Sequence, residues 1–95
     1  MKESAIETKV RKYCTREGLV CYKFTSPSYN GVPDRLILGR GKVLFLELKS
    51  AKGKLTALQQ RELDRIRAAG VEAKVAYSYG QAIEMIADHF VADYV

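Results

Sequence analysis

The 95-residue sequence contains no long hydrophobic run; none exceeds four residues, as in Val43–Leu46. A membrane span needs roughly 18. Behind the opening Met1-Lys2-Glu3-Ser4 there is no apolar stretch, so neither a signal peptide nor a membrane partner is expected. Cysteine and histidine are scarce: Cys14, Cys21 and His89 are all there is. A disulfide scaffold in so short a chain needs more cysteines. A zinc set needs closer spacing and more ligands. Both cysteines therefore read as reduced, small apolar residues of a cytosolic protein. The chain is too short for two cores, so one domain over residues 1–95 is expected.

Acidic residues are the minority. There are 16 Lys and Arg against 11 Asp and Glu, a net charge of +5. The excess is local: residues 1–54 hold 12 bases and 5 acids, and residues 55–95 hold 4 bases and 6 acids. A basic half on a small domain suggests a polyanionic partner, nucleic acid first among them. A merely solvated surface is the bland alternative. Apolar residues make up 47% and charged residues 28%, a globular composition rather than a disordered one.

The pattern predicts a helix over 3–17, with Ile6, Val10, Tyr13 and Cys14 at helical spacing and Gly18 as its stop. A strand follows over 19–24, then a turn-rich loop over 25–33. Strands 34–38 and 42–49 flank Gly39-Arg40-Gly41, a hairpin signal. A basic loop at 50–54 leads to a helix over 56–69, capped by Thr56 and stopped at Gly70. A strand over 72–77 and a helix over 79–91 complete the chain. The helix between strands 42–49 and 72–77 makes a right-handed crossover, so those strands should be parallel. The expected fold is α/β, ordered α-β-β-β-α-β-α, with a mixed four-stranded sheet flanked by helices.

Strand 42–49 has a period of two. Leu44, Leu46 and Leu48 fill one face; Val43, Phe45, Glu47 and Lys49 fill the other. An acid and a base thus end an otherwise apolar strand. Alone, they would read as its wet end. Asp34 changes that reading, because a hairpin centred near Arg40 puts Asp34 opposite Glu47. Like charges at opposed positions repel, and a divalent cation removes the conflict. Hard carboxylates suit Mg²⁺ or Mn²⁺. The alternative for Asp34 is a turn residue after Pro33. Glu3 and Glu7 share the apolar side of the first helix, where an acid calls for a partner; for Glu7 an i,i+4 pair with Arg11 is the simpler reading. Gln59 points inward on its helix. Thr56-x-x-Gln59 also matches a capping box, and the two roles are compatible.

Taken together, Gly31-Val32-Pro33-Asp34, Glu47-Leu48-Lys49 and Gln59 resemble the VRR-NUC domain, the virus-type replication-repair nuclease module of the PD-(D/E)XK superfamily. The resemblance runs from the Glu-x-x-x-Glu of the first helix to Ala68-Ala69-Gly70. It is to the stand-alone phage and bacterial form, which is similar in fold to Holliday junction resolvases. It implies that Asp34 and Glu47 are metal-binding carboxylates and that the Leu48 main-chain carbonyl is a third ligand. Lys49 would contact the scissile phosphate, Gln59 would be the helix glutamine, and Glu7 the helix-one acid and a further metal ligand, with Glu3 as its alternative.

The implied activity is a Mg²⁺- or Mn²⁺-dependent DNA endonuclease of the cytoplasm of a bacterium or phage-infected cell, selective for branched DNA such as Holliday junctions. Lys23, Ser26, Arg35, Arg40, Lys42, Lys52 and Lys54 are the expected DNA contacts, positioning the backbone without reading sequence. A homodimer is expected, with the segment 90–95 either at its interface or folded over the chain's own sheet. Two other readings stay open: a non-catalytic nucleic-acid-binding module, and an RNA endonuclease of the same fold.

Overall fold

The computed structural model describes residues 2–91. Ile6, Val10 and Cys14 recur on one side of α1 (Glu3–Arg16), and all three are buried. The chain then runs through β1 (Val20–Lys23), β2 (Arg35–Gly39) and β3 (Lys42–Leu48). It crosses over through α2 (Ala57–Ala68) to β4 (Glu72–Ala76) and ends in α3 (Tyr79–Phe90). The sheet is four-stranded and mixed, in the order β1-β2-β3-β4. β1, β2 and β3 are antiparallel neighbours, and β4 lies parallel to β3. The expected class and element order are present, and β3 and β4 are parallel as expected.

The hairpin is tighter than expected. Gly39 pairs with Lys42, leaving a turn of Arg40 and Gly41, with φ of 52° and 76°. Positive φ at both central residues marks a type I′ turn, whose twist matches that of its strands.

Parity along β3 divides the sheet into two faces. Leu44, Leu46 and Leu48 are buried with Ile37 and Ala76 beneath α1 and α3, and this face is the main core. Phe45, Glu47, Ala73 and Val75 belong to the opposite face, where α2 packs on β4 and buries Leu63. α2 covers only part of this face, and Val20, Tyr22 and Val43 remain exposed. Among the described residues no helix is long and apolar enough to cross a membrane.

Candidate active site

The β2–β3 register fixes the site. Arg35 pairs with Leu46, and one step further along the same ladder Asp34 stands opposite Glu47. The Leu48 amide donates to Asp34 Oδ2 at 3.2 Å. The Phe24 amide, just beyond β1, donates to the Asp34 main-chain carbonyl at 2.8 Å and also holds this residue. Pro33, just before it, is fully buried. Gly31 seats the loop on α2: its φ is 89°, and a Cβ there would lie 2.6 Å from the Leu58 main-chain carbon and 2.8 Å from the Gln59 nitrogen. Only glycine fits so close an approach at that backbone angle.

Glu47 is 2% exposed. Its Oε2 accepts from Gln59 Nε2 at 3.3 Å and lies 3.5 Å from Lys49 Nζ. Its Oε1 is buried without a hydrogen-bond partner. Burial, and next the Asp34 charge, push the Glu47 carboxyl from 4.5 up to about 7, against the pull of Lys49. Loss of hydration disfavours the charged form, and a like charge adds to it. A buried acceptor left unpaired beside a second carboxylate costs free energy. That is the situation a hard cation relieves, so the donor set fits Mg²⁺ or Mn²⁺.

Gln59 does two things. The Thr56 amide donates to Gln59 Oε1 at 2.9 Å, and the Gln59 amide donates to Thr56 Oγ1 at 3.1 Å, closing the capping box at the start of α2. The Nε2 end of the same side chain is the donor to Glu47. The two roles expected as compatible are combined in one residue.

No family model matches this chain. Over 71 residues it is 41% identical to the protein named "Putative nuclease p44" of Acyrthosiphon pisum secondary endosymbiont phage 1, covering 74% of this chain and 76% of that protein. A solved structure described as a VRR-NUC domain matches it with a TM-score of 0.85 at 27% identity, over 95% of this chain and 99% of the other. The chain belongs to the VRR-NUC nuclease family. A second structure, described as a VRR-NUC domain protein, shares the fold with a TM-score of 0.77 at 19% identity, over 94% of this chain and 88% of its own.

The other residues singled out in this VRR-NUC chain fall in different places. Glu7 is bound to Arg35, on the sheet face opposite Glu47. Its Oε1 accepts from Arg35 Nη2 at 2.8 Å and from Arg35 Nε at 3.2 Å, so its partner is not Arg11 either. Among the described residues no group of three or more His, Cys, Asp or Glu converges where it could hold a metal. Glu3 lies exposed in the first turn of α1. Arg35, expected among the DNA contacts, is only 7% exposed and is bound to Glu7 inside the fold.

Arg40 and Lys42 sit at the hairpin end of the strands, opposite the acids, and donate to the carbonyls of Phe90 and His89 at 2.9 and 3.1 Å. They brace α3 and do not approach the site. Lys52 and Lys54 are exposed in the loop that follows Lys49, and Lys23 is exposed at the end of β1. Ser26 Oγ accepts from the Tyr29 amide at 3.3 Å in the loop that leads to Asp34.

Two features escaped the sequence reading. One is the Arg35–Glu7 pair, whose signal was an arginine at the inward parity of an apolar strand. The other is Arg65 stacked over the Tyr29 ring at 4.6 Å, tying the same loop to α2. A cavity of about 500 Å³ lies along α2, lined by Ala57, Gln60, Arg61, Asp64, Arg65 and Ala68. It contains none of the acid pair, so cavity size does not mark the chemistry here.

Proposed function

We propose that this VRR-NUC domain is a Mg²⁺- or Mn²⁺-dependent DNA endonuclease that cuts branched DNA as a homodimer. The observation that carries the reading is the buried, unpartnered Glu47 Oε1 beside Asp34. Asp34, Glu47 and the Leu48 carbonyl would hold the ion. The Leu48 amide points at Asp34, and in an extended strand the amide and carbonyl of one residue face the same side. When bound, such an ion supplies Lewis acidity and an activated water for phosphodiester hydrolysis.

The chain's own residues do the rest. Gln59 holds Glu47 from the α2 side. Lys49 Nζ, anchored by Glu47, donates to the charge that develops on the phosphate. Lys52 and Lys54 follow in the next loop and hold flanking phosphates by counterion release. Such contacts position the backbone without reading sequence, so the proposed selectivity is for shape.

The dimer and the preference for junctions rest on the likeness to resolvases and on the small surface of one chain. Two-fold pairing would double that surface and set two sites on opposing strands. Phe90 lies in the chain's own core at 2% exposed, so it is not available to an interface. Residues 92–95 of that expected segment lie outside the described residues.

The test is incubation with a four-way junction, linear duplex, single-stranded DNA and RNA in Mg²⁺ or Mn²⁺, with EDTA and Asp34→Ala as controls. Junction cleavage lost in both controls supports the reading. Cleavage that survives both rejects the site, and cleavage of RNA alone replaces the substrate. Light scattering at micromolar concentration gives the mass, and a monomer that nicks without regard to shape overturns the dimer and the junction preference together.

A further inference from the structure

Arg35 follows Asp34 directly, yet its side chain leaves the other face of the sheet. Its register partner is Leu46 and its next neighbour on that face is Ile37, both fully buried. A guanidinium in such a place is costly unless it is paired, and an apolar residue would fill the position more easily. Here it is paired. Both the Nε and Nη2 donors converge on Glu7 Oε1, and the two side chains are 9% and 25% exposed. The contact joins α1 to the first residue of β2 across 28 positions of sequence.

Asp34 stands one residue beyond that anchor, outside the strand proper. The hydrogen bonds that hold it, from Phe24 and Leu48, both depend on β2 starting where it does.

We infer that Arg35 and Glu7 form a positioning pair, pinning the start of β2 to α1 and so holding Asp34 opposite Glu47. Neither residue touches the phosphate or the ion. The inference rests on the nuclease reading for its consequence, though not for its geometry. It replaces two separate roles, Glu7 as a third acid and Arg35 as a phosphate contact, with one shared role. It also explains why a buried arginine stands in an apolar strand.

The test compares Glu7→Gln, Arg35→Gln and the double variant by amide hydrogen exchange, Mn²⁺ titration calorimetry and steady-state cleavage below each variant's Tm. Each single variant is expected to speed exchange at the Phe24 and Leu48 amides by about tenfold, with the amides at the hairpin end of β2 and β3 unchanged, because the opening is local. Each is also expected to lower kcat by about tenfold at constant KM, since misplacing a reacting group costs rate rather than affinity. The double variant should fall no further than either single one, because the two residues act as a unit.

Unchanged exchange at Phe24 and Leu48 overturns the inference. So does a fall in Tm with kcat intact, which would make the pair merely structural. Loss of Mn²⁺ binding in Glu7→Gln alone would make Glu7 a ligand. A raised KM in Arg35→Gln alone would make Arg35 a phosphate contact. If the wild type cuts nothing, the nuclease reading fails, and the exchange result still decides the pair.

Discussion

Asp34 and Glu47 face each other one step beyond the Arg35–Leu46 pair of the β2–β3 hairpin, joined through the Leu48 amide that donates to Asp34. Opposed like charges destabilise a sheet, and here one of them is also buried. The fold tolerates a strained arrangement at one point, as functional sites commonly do.

The strain has a pH signature. The Glu47 carboxyl is raised from 4.5 in the open chain to about 7 in the fold. Between those values the native state binds more protons than the unfolded state, so stability falls as pH rises. The penalty is absent below about 4.5 and complete above about 7. From the size of the shift it is roughly 3 kcal/mol at most. In EDTA, calorimetry should show Tm falling from pH 5 to pH 8 in wild type and falling less in Glu47→Gln. Parallel profiles for the two proteins would count against a strained Glu47.

A cation that binds only the native site must stabilise it by mass action. At a free ion concentration 100 times Kd the gain is about 2.7 kcal/mol, or roughly 10–20 °C in Tm for a domain of this size. Mg²⁺ or Mn²⁺ should give a shift of that order in wild type and far less in Asp34→Asn. Equal shifts in both proteins would place the ions elsewhere.

Gly31→Ala should be among the most damaging single changes. The new methyl would meet the α2 backbone at 2.6 Å while φ stays at 89°. Left-handed strain and the clash together should cost about 2 kcal/mol or more. Thermal melts measure the loss, and a Tm within a degree or two of wild type would mean that the loop is not seated on α2.

The two cysteines should differ in reactivity. Cys14 is buried and Cys21 half-buried. The neighbouring Cys14 thiol, and then the nearby Arg35 charge, lower Cys21 to about 7 although burial opposes them. Cys21 in turn, together with burial, pushes Cys14 up. Since the thiolate is the nucleophile, iodoacetamide near pH 7.5 should label Cys21 well before Cys14. Peptide mass mapping reads the order, and equal rates would contradict it.

The fold and the acid pair were legible because both follow from counting. Leucines alternating at 44, 46 and 48 set the faces of β3. A hairpin signal at Gly39-Arg40-Gly41, centred near Arg40, set the register, and register alone brought Asp34 to Glu47. Thr56-x-x-Gln59 announced the start of α2. Glu7 and the scattered bases could not be placed in this way. Helical periodicity put Glu7 on the buried side of α1, but its partner is 28 residues away on β2, and no local pattern names a partner at that range. Arg40 and Lys42 counted toward a basic half. Whether a base meets a phosphate or a helix carbonyl depends on which end of the strand it occupies, and net charge carries no such information.

Gln59 makes its position in the chain unusually exacting. The oxygen of its amide is taken by the Thr56 N–H and the nitrogen by Glu47, so the group has one usable orientation. Turned over, it would set a donor against a donor and an oxygen against a carboxylate. Glutamate has the reach and the acceptor but would bring a third negative charge. Asparagine is one methylene short, and lysine cannot accept a hydrogen bond. Random mutagenesis of this codon, selected for both folding and activity, should therefore return almost nothing but glutamine.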